Sequence, residues 1–190
     1  MKTGVVALQG AFREHREVLD ALGFESVEVR TPEHLSAVDA LILPGGESTT
    51  MSKLLDSSGL REPVAALIAD GLPVLGTCAG MILLAREVVD GRADQVSFAA
   101  IDLEVRRNAY GRQRDSFEAS LEIDGLSGGT FPGVFIRAPR IESTGSHVDV
   151  LARHDGHAVL VRQDAVWAAS FHPELSGDLR LHQQFLSEGT

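Results

Sequence analysis

The stretch LPVLGTCAGMILLAREV, residues 72–88, decides the fold. It joins an apolar strand to a segment of helical apolar periodicity through a G-x-C-x-G turn, in which Cys78, the chain's only cysteine, lies between Gly76 and Gly80. Small residues at these two positions allow the sharp turn that lifts a side chain above the edge of a sheet, as the G-x-S-x-G elbow of hydrolases does. The pattern predicts a strand-turn-helix unit that presents a cysteine nucleophile.

Two interpretations of Cys78 compete. A lone cysteine is among the most frequently buried residues and is usually inert. The two glycines, the strand before them and the helix after them favour the catalytic interpretation instead. The first backbone N–H groups of that helix have no partner within it, so they can stabilise a thiolate or an oxyanion beside the sulfur.

Composition predicts one α/β domain spanning residues 1–190. The chain has 27 Asp and Glu against 17 Lys and Arg, a formal charge of −10, and 44% of its residues are hydrophobic. Such acidity argues against a nucleic-acid-binding protein, and the apolar run at the amino terminus is too short for a signal peptide or a membrane span. A single cysteine excludes an internal disulfide and a cysteine-rich metal site, and it fits a cytoplasmic protein.

The first half of the chain alternates between apolar strands and amphipathic helices. Strands are predicted at residues 4–8, 27–30, 40–43 and 73–75, and helices at 12–22, 49–56 and 63–70. The second half is strand-rich, with strands predicted at 101–105, 116–123, 134–137, 148–152, 158–163 and 165–170 and a final helix at 178–187. We therefore predict a mixed, mostly parallel central sheet flanked by helices, with antiparallel strands in the carboxyl-terminal half.

Three loops follow the carboxyl ends of predicted parallel strands, where ligands bind in such sheets. They comprise residues 9–11, 44–48 and 76–80. In the second loop, Gly45 and Gly46 let backbone N–H groups approach a ligand, and Glu47 and Ser48 add polar groups for the charged ends of an amino acid. The alternative is an ordinary turn and helix start, with Ser48 or Thr49 as the N-cap.

His172 is the histidine best placed to serve as a base for Cys78. It directly follows the apolar run AVWAASF, and Pro173 stiffens the link to Glu174, whose carboxylate could fix the imidazole tautomer. A structural histidine at a strand end is the alternative. The remaining histidines are expected to face solvent, on helix faces or turns for His15, His34 and His182 and in polar connections for His147, His154 and His157.

Several motifs carry a resemblance to a known family. GTCAG around Cys78, PGGEST at residues 44–49 and FHPE at residues 171–174 resemble class I glutamine amidotransferases, which have a flavodoxin-like fold. Longer segments are similar to the glutaminase subunits of pyridoxal 5′-phosphate synthase, the PdxT family. These are LQGAFREH at 8–15, LPGGESTTM at 43–51, RNAYGRQRDSFEA at 107–119 and GVFIRAP at 133–139.

The resemblance implies that the chain hydrolyses L-glutamine to L-glutamate and ammonia through a γ-glutamyl thioester. Cys78 is the implied nucleophile, His172 the general base and acid, and Glu174 the orienting carboxylate. The implied glutamine contacts are Gly46, Glu47, Ser48, Arg107, Ile136 and Arg137. Backbone N–H groups near Gly46 and Ala79 are candidates for the oxyanion hole. The two arginines could instead be solvated surface charges, although Arg137 ends an apolar strand.

The resemblance also implies a partner and no bound cofactor. Ammonia would pass to a (β/α)8 synthase subunit of the PdxS family in a hetero-oligomer, and Gln9 and Arg13 are candidate partner contacts beside the site. A glutaminase subunit serving histidine or another biosynthesis is the runner-up. A non-catalytic flavodoxin-like binding module and a stand-alone hydrolase of γ-glutamyl compounds are the remaining alternatives.

Overall fold

Twelve strands and five α-helices occupy residues 1–92, 94–107 and 116–189, the part of the chain that the computed structural model describes. The strands are β1 (Lys2–Val6), β2 (Glu25–Val29), β3 (Ala40–Leu43), β4 (Val74–Thr77), β5 (Ala85–Val88), β6 (Ile101–Arg106), β7 (Ser116–Leu121), β8 (Phe131–Ile136), β9 (Arg140–Thr144), β10 (Asp149–His154), β11 (His157–Gln163) and β12 (Val166–Ala169). The helices are α1 (Phe12–Ala21), α2 (Ser48–Ser57), α3 (Arg61–Ala69), α4 (Ala79–Leu84) and α5 (Arg180–Glu188), with 3₁₀ turns at Pro32–Leu35 and Pro173–Leu175. Most of the RNAYGRQRDSFEA motif, residues 108–115, lies outside the described residues.

A seven-stranded sheet in the order β10-β11-β12-β4-β3-β1-β2 forms the centre of the structure. The pairs from β12 through β4, β3 and β1 to β2 are parallel, whereas β10 and β11 add to the edge in antiparallel fashion. Strands β3, β4 and β12 are buried along their whole length, as expected for parallel strands covered on both faces. The predicted mixed sheet is confirmed.

Alternate residues of the strands feed two apolar cores, one on each face of the sheet. Leu41 and Leu43 of β3 pack with buried residues of α2, α3 and α4 on one face. Ile42 between them packs with Leu19 of α1 and Phe185 of α5 on the other face. This period of two follows from the strand geometry, and it explains why helices cover both faces.

Two small sheets lie outside the central one, and the sequence predicted only some of their strands. The three-stranded sheet β5-β6-β9 contains two strands that were not predicted, and the hairpin β7-β8 forms the third sheet. The predicted helix after Cys78 ends at Leu84, because the backbone is extended at Ala85 and the exposed Arg86 and Glu87 interrupt the apolar face. Within the described ranges, no helix is long and apolar enough to cross a membrane.

Candidate active site

The turn between β4 and α4 holds Cys78 in a strained backbone conformation. Its φ is 49° and its ψ is −103°, in a region that L-residues rarely adopt. Both flanking glycines are required by close packing: a Cβ on Gly76 would lie 2.7 Å from the carbonyl carbon of Gly80, and a Cβ on Gly80 would collide with the carbonyl oxygen of Leu43. The predicted cysteine elbow is therefore present in the structure.

Strand pairing fixes the position of the thiol. The Cys78 N–H donates to the Ala169 carbonyl at 2.8 Å, which continues the parallel pairing of β4 with β12 past its last residue. Cys78 is 7% exposed, and its Sγ lies 4.0 Å from the Ile136 carbonyl oxygen. The sulfur thus reaches a pocket while its backbone stays within the sheet.

His172 and Glu174 follow β12 and come to the same edge of the sheet. The His172 N–H donates to the Val134 carbonyl at 2.8 Å, and Pro173 starts the 3₁₀ turn that brings Glu174 back to the imidazole. His172 Nδ1 lies 2.7 Å from Glu174 Oε1. Because β4 and β12 are parallel neighbours, the three groups that the sequence singled out lie side by side.

The electrostatics of this cluster favour a charged imidazole. Burial lowers the pKa of His172, but hydrogen bonds and electrostatic interactions with Cys78 and Glu174 raise it to about 10. Burial also acts to raise the pKa of Glu174, yet the nearby His15 and His172 lower it overall. At neutral pH His172 therefore holds two ring protons beside an ionised Glu174.

Two histidine predictions are wrong. His15 and His182 were expected on exposed surfaces, but both are fully buried. In α1, His15 lies three and four residues before the buried Val18 and Leu19, so helical periodicity places all three on the inner face. His182 in α5 is likewise three residues before the buried Phe185. The polarity of the side chain suggested exposure, whereas its position in the helix decided burial.

The other histidines mostly follow the prediction. His34 and His147 are exposed, and His157 is partly exposed. His154 differs, because its ring stacks on Phe117 and Phe135 with centroid distances of 5.4 and 5.6 Å and is only partly accessible. It lies at the end of edge strand β10, three strands from β4 in the central sheet.

The loop of residues 44–48, which we call the glycine loop, is held by polar contacts. Glu47 caps α2: its carboxylate accepts the N–H groups of Thr49 and Thr50, and it pairs with Arg107 at 3.2 Å. Burial acts to raise the pKa of Glu47, but hydrogen bonds from Thr50 and Thr49 lower it to about 2. Its own N–H donates to Gln9 Oε1 at 2.8 Å. The loop thus starts a capped helix, but the expected cap residues, Ser48 and Thr49, are wrong: the capping side chain is Glu47.

A single pocket of about 350 Å³ opens at these loops. Cys78 and His172 lie on its wall, together with all six residues predicted to bind glutamine, Gly46, Glu47, Ser48, Arg107, Ile136 and Arg137. Gln9 also lines it. Of the remaining predicted residues, Glu174 lies behind His172, Ala79 is buried at the start of α4, and Arg13 is exposed outside the pocket with its guanidinium 5.6 Å from the Phe12 ring.

Sequence reasoning missed part of this pocket wall. Glu14, Ile82 and Leu175 line it, and Leu175 is 42% exposed. Ile82 is one helical turn after Cys78 on α4, so its spacing from the nucleophile could have identified it. Leu175 directly follows the H-x-E motif, but nothing in the sequence distinguishes it from a core leucine.

Comparisons with known proteins agree over nearly the whole chain. The model of the SNO glutamine amidotransferase family matches residues 5–189. A protein of Dehalococcoides mccartyi named pyridoxal 5′-phosphate synthase subunit PdxT is 55% identical over 187 residues, covering 98% of this chain and 96% of its own length. The protein of the same name from Streptomyces coelicolor is 53% identical over 182 residues, covering 96% and 90%. A crystal structure described as a glutamine amidotransferase superposes with a TM-score of 0.93 at 51% identity, covering 98% of both chains.

Proposed function

This chain belongs to the SNO glutamine amidotransferase family, and we propose that it hydrolyses L-glutamine with Cys78 as nucleophile, His172 as general base and acid, and Glu174 as the orienting carboxylate. It is a glutaminase subunit that supplies ammonia for pyridoxal 5′-phosphate synthesis and works with a synthase subunit. The observation that carries the assignment of residues is the convergence of Cys78, His172 and Glu174 at one pocket. We further propose that residues 1–190 act as one glutaminase domain.

The chemistry starts at the sulfur. The thiol proton of Cys78 passes to His172 Nε2, the sulfur attacks the side-chain amide carbon of glutamine, and the π electrons of the carbonyl move to oxygen to give a tetrahedral oxyanion. The raised pKa of His172 means that its imidazolium already holds the proton that the leaving group needs. When the C–N bond breaks, His172 Nε2–H protonates the nitrogen, ammonia leaves, and a γ-glutamyl thioester remains.

The second half of the reaction uses the same groups in reverse. Neutral His172 now accepts a proton from water, which attacks the thioester carbon, and the C–S bond breaks to release glutamate. Glu174 stays ionised throughout and stabilises each imidazolium that forms. Backbone N–H groups of Gly46 and Ala79 are the donors that we assign to the two oxyanions.

Glutamine recognition is assigned to the pocket wall. The carboxylate of Glu47 is already engaged by α2 and Arg107, so the glycine loop offers mainly backbone groups at Gly46 and Ser48. Arg107 and Arg137 bring positive charge to the pocket, suited to the α-carboxylate of an amino acid. Arg137 has a φ of 42°, a strained conformation of the kind found at ligand-binding positions.

The partner is assigned to the same face. We propose a (β/α)8 synthase subunit of the PdxS family that docks on the pocket rim through Gln9, Arg13 and Leu175. The large exposed fraction of Leu175 beside the pocket supports this position. A free thiol nucleophile requires reducing conditions, so a cytoplasmic location is part of the proposal.

Glutamate release from L-glutamine tests the proposal. We expect strong release when a synthase subunit of the PdxS family is added, and none above background from Cys78→Ser. Binding of Cys78→Ser to the synthase subunit, measured by sedimentation, controls for folding. A chloroketone analogue of glutamine should alkylate the wild-type chain at Cys78 and should not alkylate Cys78→Ser. Release by Cys78→Ser at the wild-type rate would contradict the assignment of the nucleophile, and release without any response to the synthase subunit would contradict the partner.

A further inference from the structure

A buried histidine pair lies directly behind the proposed triad and takes no part in the steps above. His15 Nδ1 lies 2.9 Å from His182 Nε2, and both side chains are excluded from solvent. The other nitrogen of His15, Nε2, lies 3.4 Å from Glu174 Oε2 and 3.1 Å from Thr77 Oγ1. The pair therefore contacts both the carboxylate that orients His172 and the residue that precedes Cys78.

The two oxygens of Glu174 face two different imidazoles. Oε1 lies 2.7 Å from His172 Nδ1, whereas Oε2 has no hydrogen-bond partner among the described residues and faces His15 Nε2 at 3.4 Å. The Glu174 side chain is fully buried, so water cannot supply a second donor from bulk solvent. A buried carboxylate oxygen without a donor is unfavourable, and a carboxylate bonded through one oxygen can rotate about its last bond. The position of His15 opposite Oε2 counters both the lack of a partner for this oxygen and the rotation of the carboxylate.

The environment decides the protonation states of the pair. Burial lowers the pKa of His15 in spite of the charge on Glu174, and burial together with His15 lowers the pKa of His182 to about 3. Each ring is therefore neutral at pH 7 and carries one N–H. His15 Nε2 lies 3.1 Å from the Thr77 hydroxyl, which can accept, and 3.4 Å from a carboxylate oxygen, which can only accept, so we place the proton of His15 on Nε2. Its Nδ1 then accepts the Nε2–H of His182.

We infer that His15 is a positioning residue for the glutaminase reaction: its Nε2–H faces Glu174 Oε2 at 3.4 Å, and this electrostatic contact holds the carboxylate in the orientation that His172 requires. His182 holds His15 in the tautomer that makes this possible. The inference rests on the proposed function of Cys78, His172 and Glu174. It extends the site inward, from the pocket to the contact between α1 and α5.

The inference predicts a change in pH dependence. The titratable groups that face His15 are Glu174 and His172 on the side of the pocket, His182 from α5, and Glu14 from its own helix. A donor to an ionised carboxylate lowers the pKa of that carboxylate. Loss of the His15 donor should therefore raise the pKa of Glu174 and move the acid limb of the kcat profile to higher pH.

Three variants test the positioning role in the complex with the synthase subunit. His15→Leu removes the donor, His15→Gln keeps an N–H donor at the reach of Nε2, and His147→Leu makes the same change at an exposed histidine. We expect His15→Leu to lower kcat about tenfold to a hundredfold, as loss of a partner behind an orienting group does, with little change in KM. His15→Gln should recover most of kcat and the wild-type acid limb, and His147→Leu should match the wild type.

Nitrogen-15 NMR of labelled imidazoles gives a readout that needs no turnover. In the wild-type chain, His15 and His182 should both be neutral Nε2–H tautomers, and the His172 Nδ1–H signal should shift in His15→Leu. A wild-type His15 with its proton on Nδ1 overturns the inference, even if His15→Leu fails to fold. Equal kcat losses in His15→Leu and His15→Gln, with the acid limb unmoved, overturn it as well, since they indicate packing alone. A wild-type complex that releases no glutamate would instead contradict the proposed function.

Discussion

The cysteine elbow and the glycine loop face each other across one pocket, yet different forces hold them. The elbow is held by steric fit, because Gly76 and Gly80 pack against backbone with no room for a side chain and the Cys78 N–H is fixed to β12. The glycine loop is exposed at Gly46 and Glu47 and is held by its hydrogen bond to Gln9 and by hydrogen bonds from α2 and Arg107. Steric fit permits one arrangement, whereas exposed hydrogen bonds can be exchanged for those of a partner. Rigid placement of the nucleophile thus coexists with a loop whose hydrogen bonds are open to exchange.

Gly80→Ala should have the largest effect on stability, because it disrupts the close packing of the elbow. The new Cβ would meet the carbonyl oxygen of Leu43, and backbone cannot move aside as a flexible side chain can. We expect the free energy of unfolding to fall by about 3 kcal/mol or more in urea denaturation. Gly156→Ala is the control: it has open space but a φ of 80°, so it reports the backbone strain alone, about 1 kcal/mol. Equal losses in both variants would contradict the steric argument.

The pH dependence of stability should distinguish the elbow side of the pocket, which includes His172, from the glycine loop. Its folded pKa of about 10 lies above the ordinary 6.5, so its contribution to stability is fully present below pH 6.5 and is lost as pH rises through 10. Glu174→Gln removes a hydrogen bond and a charge that raise this pKa, so its unfolding free energy should fall less across that window. Thermal melts at matched pH values, with NMR titration of His172, measure the difference. Identical slopes for the two proteins would count against the raised pKa.

Glu47→Ala should have a moderate effect, confined to the loop. Loss of a helix cap costs about 1 kcal/mol of stability at pH 7. The pKa of Glu47 is lowered from 4.5 to about 2, so its contribution is present above pH 4.5 and is lost as pH falls through 2. The gap between wild type and variant should therefore narrow over that range in chemical denaturation. A gap that is constant with pH would show that the carboxylate charge does not carry the cap.

Gln9→Ala should change stability least, by about 0.5 kcal/mol, since water can replace its bond to the exposed Glu47 N–H. Its effect should appear in glutamate release, as a reduced stimulation by the synthase subunit. Arg13→Ala should reduce stimulation in the same way, whereas Gln183→Ala, the same change on the exposed face of α5, should leave it intact. Full stimulation of both Gln9→Ala and Arg13→Ala would remove these residues from the proposed contact.

The same contrast explains how much the sequence could predict. The elbow and the H-x-E segment are local motifs, and the parallel strands that carry them are strongly apolar, so Cys78, His172 and Glu174 could be brought to one sheet edge before the structure was known. The role of His15 depends on contacts with α5 and the 3₁₀ turn after β12, which no local pattern encodes. Strands β5 and β9 were missed for a related reason, since each is short and is defined by its pairing with β6.

Helical position was the one unused clue. The spacing of His15 from Val18 and Leu19, and of His182 from Phe185, already placed both histidines on inner faces. The prediction of exposure followed the polarity of histidine and not the position of each histidine in its helix. Where a polar residue shares the apolar face of a helix, a buried partner is the better expectation.

The pairing of β4 with β12 has a consequence for the order of folding events. The sulfur is carried by a strand from the first half of the chain and the imidazole by the segment after β12, so neither can meet the other until two distant segments dock side by side. Long-range parallel pairing is a slow class of contact to form. During refolding from denaturant, the first hydrolysis of glutamine should therefore coincide with the insertion of β4 between β3 and β12. The time at which glutaminase activity returns then reports the time at which the central sheet is completed.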